Sequence, residues 1–214
     1  MKKIKRTIMS LLLMALLISC QTSNDQTPLA ETDTPDDIWA TWLSLSVCEP
    51  PCWQGITPGV TAASEAVSIL EGMPDVKIKY QGETGLFWDF KDNTEGGEIR
   101  FNVGVVSRVT LSSISDKKLP LVTVIKAYGV PKYVEPYDCR EGMCITALVY
   151  PEMGMVLDIF VPNTGNMDGP RIEILATTAI DRVYFLKEGL DGFKMFPELQ
   201  RHKLMKWKGY ATYP

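Results

Sequence analysis

The sequence predicts an α+β domain in which tandem helix-plus-three-strand repeats form an antiparallel sheet with helices on one face. Helical stripes of apolar residues end in Gly-x-Pro twice, at residues 72–74 and 129–131. Each stripe is followed by segments whose apolar residues alternate, as they do in strands. Two of those segments share an Arg-Val pair, at residues 108–109 and 182–183. Chance similarity between short apolar segments is the alternative explanation.

The predicted domain covers residues 38–214 and opens with a helix capped by Asp36 or Asp37. The first repeat covers about residues 57–115. Its helix is expected at about residues 61–71, with Thr61 as the N-cap. Gly72 is expected to end it in a left-handed backbone conformation. The apolar stripe of this helix consists of Ala63, Ala66, Val67 and Leu70. The strands expected after it lie at about residues 86–90, 98–103 and 105–113, with a hairpin loop at residues 92–97.

The second repeat covers about residues 119–187 and has the same order of elements. Its helix is predicted from apolar residues at helical spacing, which are Leu121, Val124, Ile125 and Tyr128. Its strand candidates lie at residues 145–150, 154–161 and 180–186, with residues 171–175 as an additional candidate. A C-terminal tail, residues 190–214, follows the second repeat.

The first 19 residues have the pattern of a secretory signal peptide. Four cations and no acid precede an apolar run at residues 8–18, which is too short to span a bilayer well. Residues 17–20, Leu-Ile-Ser-Cys, resemble the lipobox of bacterial lipoproteins. The resemblance implies cleavage before Cys20, lipidation of its thiol, and acylation of its new amino group by a fatty acid such as palmitate. A buried amphipathic helix with a free thiol is the alternative.

Cleavage would change both the charge and the location of the protein. The formal charge of the whole chain is −4, and removing the four cations leaves 18 Lys and Arg against 26 Asp and Glu. Residues 20–37 carry five of those acids and too few apolar side chains for a core, so they predict a disordered acidic tether. We therefore expect export, with a lipid anchor on the outer face of the cytoplasmic membrane or in the outer membrane.

The cysteines fit an exported protein. Assigning Cys20 of the five to lipid leaves four, and an oxidising compartment favours two disulfides among them. We favour Cys48–Cys52 and Cys139–Cys144, because each pair lies in its own short, turn-rich segment. A crossed pairing between the two segments stays open. Zinc is a weaker alternative, since the spacings differ from those of zinc knuckles.

Composition and motifs exclude many function classes. The one histidine, His202, rules out sites that need two imidazoles, and the negative charge argues against nucleic-acid binding. Nucleophile-elbow, zincin, P-loop and dinucleotide-binding motifs are absent from the sequence. We therefore expect no catalytic residues, metal or cofactor, and a domain that binds another envelope protein or an unknown ligand. The alternatives are an envelope hydrolase with carboxylate chemistry and a structural membrane spacer.

The tail is basic and aromatic. From residue 193 onward it carries five Lys and Arg side chains against one acid. We expect a helix with its apolar side packed on the domain, and the alternative is a segment that rests on anionic lipid. The candidate membrane-surface residues are Lys203, Lys206, Trp207 and Lys208.

Two stretches resemble known bacterial families. Residues 48–59, which begin Cys-Glu-Pro-Pro-Cys-Trp, resemble uncharacterised bacterial envelope lipoproteins. A helix ending in Gly-x-Pro, followed by an aromatic strand and a strand near residues 104–106, resembles the SmpA/OmlA outer-membrane-assembly lipoproteins. Tandem copies of this unit are similar to β-lactamase-inhibitor proteins. These resemblances imply a fold and a habit of binding proteins, and they imply no catalytic residue.

Overall fold

The computed structural model describes residues 48–90, 95–113, 118–140, 142–165, 169–189, 193 and 204–214. All of them lie within one compact unit, Ile38–Pro214. The predicted signal peptide, Cys20, the tether and the predicted helix after residue 37 lie outside the described residues.

Strands make up most of the described structure. Eleven strands are described: β1 Val76–Gly82, β2 Gly85–Phe90, β3 Glu95–Asn102, β4 Val105–Ser113, β5 Tyr133–Arg140, β6 Met143–Tyr150, β7 Met155–Pro162, β8 Ile172–Glu173, β9 Ile180–Leu186, β10 Met205–Lys206 and β11 Thr212–Tyr213. The described residues also form two α-helices, α1 Ala63–Glu71 and α2 Leu121–Tyr128, and a 3-10 turn at Pro151–Met153.

Nine of the strands form one sheet in the order β1-β2-β3-β4-β9-β7-β6-β5-β10, and every neighbouring pair is antiparallel. Consecutive hairpins build β1 to β4 and β5 to β7, as short connections between antiparallel strands require. Strand β9 then pairs with both β4 and β7 and joins the two sets of hairpins. Strands β8 and β11 form a separate two-stranded sheet.

The predicted fold class is wrong. Strands dominate one large antiparallel sheet, and the described residues do not form tandem helix-plus-three-strand repeats. The prediction missed β1 and β5. Val76, Ile78 and Tyr80 of β1 alternate with Lys77 and Lys79, so the sequence did carry a strand pattern there. In β5, by contrast, Glu135 and Pro136 interrupt the apolar residues. The helices are also short, at nine and eight residues.

Three local predictions about the first repeat are wrong as well. Ala62 precedes α1 and makes no side-chain cap bond, whereas the Thr61 hydroxyl accepts the backbone N–H of Thr57 at 2.8 Å. Gly72 is right-handed, with φ −75°. Gly97 lies in β3, where it pairs with Leu111 of β4, and does not belong to a hairpin loop. A Cβ at this position would clash with the Trp88 ring. Glycine thus makes room for a core indole.

The main core lies on one side of the nine-stranded sheet, which we call the first face. Both helices contribute to it, through Ala66 and Leu70 of α1 and Leu121 and Val124 of α2. The indole of Trp88 on β2 stacks on that of Trp53, with ring centroids 5.3 Å apart. Burial of these large apolar side chains is the main stabilising contribution to the sheet.

Both favoured disulfides are present. Cys48 is bonded to Cys52, and Cys139 is bonded to Cys144 across the β5–β6 hairpin. This confirms the predicted pairing over the crossed alternative. A disulfide between such near neighbours closes a short loop and removes little conformational entropy from the unfolded chain. Its main effect is therefore to fix the local shape of the segment.

Candidate functional site

The opposite side of the sheet, which we call the second face, carries most of the polar side chains of the strands. The register places direct cross-strand neighbours in rows on this face. One row runs Tyr80, Phe87, Glu98, Thr110, Tyr184. Another runs Ser112, Arg182, Asp158, Ala147, Glu135. The face divides into an open part over β1–β4 and a closed part over β5–β7 and β9.

The open part exposes aromatic side chains. Tyr80 is 62% exposed and Phe87 is 45% exposed, and their rings lie 6.3 Å apart. The guanidinium carbon of Arg100 lies 5.8 Å from the centre of the Phe87 ring, within cation–π range. Alternation explains this exposure, because the flanking residues Leu86 and Trp88 point into the main core.

Charged side chains surround the aromatic pair. Asp89 pairs with Lys79 at 3.1 Å, and Glu98 forms ion pairs with both Arg100 and Arg108. Arg108 donates to the Glu98 carboxylate at 3.1 Å. The pairs link neighbouring strands or neighbouring residues of the face, so they hold the guanidinium groups in defined positions beside the rings.

The closed part is organised around a buried carboxylate, Asp158, which is 1% exposed. Its Oδ2 accepts hydrogen bonds from the hydroxyls of Tyr137 at 2.7 Å and Tyr184 at 2.8 Å. Burial raises the pKa of Asp158 to about 6, although the two phenol hydrogen bonds oppose that shift. The guanidinium of Arg182, its neighbour in the row, also acts to lower this pKa.

Glu135 is the second acid of the closed part. It is 0% exposed, and neither carboxylate oxygen has a hydrogen-bond partner among the described residues. Burial raises its pKa to about 7. Ala147, whose side chain is only a methyl group, separates it from Asp158 in the row. Apolar and aromatic side chains form a small cluster on this part of the face, which consists of Tyr133, Tyr137, Ala147, Val149, Val156, Tyr184, Leu186, Phe193 and Leu204.

The residues predicted from sequence lie elsewhere. Lys206 is exposed on β10 at the sheet edge, and Lys208 is exposed nearby. The Trp207 ring is partly buried, 5.9 Å from the Tyr210 ring and 6.0 Å from the Tyr213 ring. Trp207 therefore contributes to packing in this structure. Lys203 and Cys20 lie outside the described residues.

Sequence reasoning missed Asp158 and Glu135. Their signal was present, since each acid interrupts an apolar strand: Asp158 lies between Leu157 and Ile159, and Glu135 follows Val134. A charge within such a segment is expected to need partners or to be neutral. The register that places both acids in one row could not be inferred without the strand order.

Three further observations bear on function. Within the described ranges, no group of three or more His, Cys, Asp or Glu side chains is arranged to hold a metal ion. No helix in that part of the chain is long and apolar enough to cross a membrane. Comparison with family models, curated proteins and solved structures found no match.

Proposed function

We propose that this protein is a membrane-anchored, extracytoplasmic lipoprotein whose domain binds a protein or another ligand on the open part of the second face. The lipobox-like residues 17–20 and the basic, apolar segment before them support the anchor. The observation that carries the binding role is the exposed pair Tyr80 and Phe87, set among ion-paired side chains. Aromatic and arginine side chains held in place are the residue types that dominate binding energy at interfaces.

The open part distinguishes binding from the spacer alternative. A spacer needs only a polar surface, whereas Tyr80 and Phe87 leave two large rings in water. The rings lie beside Arg100, whose guanidinium is already held by its ion pair with Glu98. Little ordering of these side chains would therefore be needed when a partner binds.

The hydrolase alternative is less well supported. Asp158 and Glu135 both have raised pKa values, as a general acid would need. Both are also at most 1% exposed, whereas a catalytic acid must reach its substrate. The acids are therefore better explained as part of the packed sheet than as a catalytic pair.

Substituting Cys20→Ala tests the anchor. Wild-type protein should incorporate labelled palmitate and sediment with membranes, and the variant should do neither, because two or three acyl chains are what hold a lipoprotein stably. Ser23→Ala, a change in the predicted tether that keeps the cysteine, is the matched control and should behave as wild type. Persistent membrane association of the Cys20→Ala protein would contradict the lipobox.

Site-specific photocrosslinking in intact cells tests the binding face. A benzoyl-phenylalanine at position 80 should form adducts with another envelope component, and adding Phe87→Ala should reduce them. The same amino acid at position 123, which is exposed on α2, is the control. Equal adducts at the two positions, or none at position 80, would reject the open part as a binding surface.

A further inference from the structure

Two arginines of the open part lie directly opposite each other on neighbouring strands. Arg100 of β3 is the register partner of Arg108 of β4. Like charges directly opposite in a sheet are destabilising. Among the described side chains, a single carboxylate, Glu98, forms ion pairs with both of them. One acid cannot neutralise two guanidinium groups, so the pair retains a net positive charge that a second anion would balance.

The surrounding charges have the same sign. Counting described side chains, the second face of β1–β4 carries four cations, Lys77, Lys79, Arg100 and Arg108, against the acids Asp89 and Glu98. The domain after residue 37 has 18 Lys and Arg against 21 Asp and Glu. The domain as a whole is slightly negative, so an anionic ligand would be attracted by the positive potential of this surface and not by the net charge of the domain.

We propose that the Arg100–Arg108 pair is an anion-binding centre and that the open part binds a linear polymer that repeats a phosphate or carboxylate group. This inference rests on the proposed function and names the ligand class of the same face. Guanidinium groups match phosphate and carboxylate oxygens as planar donors. The cations lie on β1, β3 and β4, and these strands span roughly 14 Å at about 4.8 Å per strand, so a chain with several anions can contact more than one of them.

The aromatic pair gives the polymer a second kind of contact. Phe87 and Tyr80 lie beside Arg100, with the Phe87 ring 5.8 Å from its guanidinium carbon. Rings in this position offer apolar surface to the C–H groups of a sugar or polyol backbone, while the guanidinium groups take its anions. Flat exposed rings beside fixed cations are the combination by which proteins hold other polyanionic chains.

The experiment measures affinity of the full-length lipoprotein, purified in detergent, for three polymers. Poly(glycerol phosphate) represents phosphate, polygalacturonate represents carboxylate, and dextran is the neutral control. We expect binding to at least one anionic polymer and none to dextran. For the anionic polymer, the logarithm of the affinity should fall with the logarithm of salt concentration with a slope of roughly −2 to −3, as for four cations on a flexible polyanion.

Variants separate the two kinds of contact. Arg100→Gln should weaken binding about tenfold and make the salt slope shallower by about one contact. Phe87→Ala should weaken binding without changing the slope, because it removes no charge. Lys126→Gln, an equal charge change on exposed α2, should bind as wild type. Unchanged unfolding midpoints would show that the variants are folded, since Arg100 and Phe87 are both partly exposed.

Three results would overturn the proposal: no binding to either anionic polymer, equal binding to dextran, or equal losses in the Arg100→Gln and Lys126→Gln proteins. Crosslinks at position 80 without polymer affinity would leave the binding face in place and reject this ligand class. Absence of both would reject the proposed function as well.

Discussion

Substituting Glu135→Gln should stabilise the protein at alkaline pH and not at acid pH. Glu135 is fully buried on β5, and its carboxylate oxygens have no hydrogen-bond partners in the part of the chain that the structure describes. Burial raises its pKa from 4.5 to about 7. Glutamine keeps the shape of the side chain and has no charge to bury, so the substitution isolates the cost of ionising this group inside the fold.

The magnitude follows from the shift in pKa. Between pH 4.5 and about 7, the folded protein keeps a proton on Glu135 that the unfolded chain has released. The free energy of unfolding therefore falls as pH rises through this window, by about 3 kcal/mol in total at 1.36 kcal/mol per pKa unit. Below pH 4.5 both states are protonated and above pH 7 both are ionised, so this contribution is constant outside the window.

Urea denaturation of wild type and Glu135→Gln at intervals from pH 4 to pH 8 measures the effect. The difference in free energy of unfolding should be small at pH 4 and reach about 3 kcal/mol in favour of the variant at pH 8. Asp158 titrates in both proteins, so the difference between the curves is the informative quantity. Glu83→Gln, in the exposed β1–β2 turn, is the control. Parallel curves for wild type and Glu135→Gln would refute the reasoning.

Three further predictions concern stability. Tyr137→Phe removes a donor to Asp158 and should destabilise the fold by about 1–2 kcal/mol at pH 8 and by less at pH 4, where Asp158 is protonated; equal losses at both pH values would contradict this. Val103→Asn should stabilise by about 1 kcal/mol in urea denaturation, because Val103 is 95% exposed at φ +50°, a left-handed conformation that disfavours branched side chains; a loss of stability would show that the backbone is not strained there. Leu157→Ala, at a fully buried position on β7, should cost about 3 kcal/mol, and a cost below about 1 kcal/mol would mean that the central core is loosely packed.

The strand segments richest in apolar residues were predicted, and β1 and β5, which contain more polar residues, were missed. The segments predicted at residues 86–90, 105–113 and 180–186 correspond to β2, β4 and β9. Each of these segments is rich in apolar, aromatic or β-branched residues, which favour strands. Strand β5 instead places Glu135 and Pro136 between apolar residues, and its position depends on pairing with β6. Local pattern carries no information about that pairing.

The candidate site was likewise not predictable from local sequence pattern. The sequence predicted membrane-surface residues in the C-terminal tail, but the structure packs the Trp207 ring against the Tyr213 ring. The open part was not predicted, because nothing in the sequence shows that Tyr80 and Phe87 are neighbours. They meet because β1 and β2 pair in a particular register. The opposed arginines come from β3 and β4, and their pairing depends on an irregularity in the register directly after Arg100. A slip of one residue would turn either side chain toward the main core.

By itself the sequence favoured the cysteine pairing that the structure has and predicted most of the strand segments, because each of these depends on residues that are close in the chain. The export signal and the lipid anchor stay predictions from the sequence. Only the tertiary structure decided the fold class, the burial of Asp158 and Glu135, and the meeting of Arg100 with Arg108. The physical reason is that cross-strand register, and not chain order, determines which side chains share a face of a sheet.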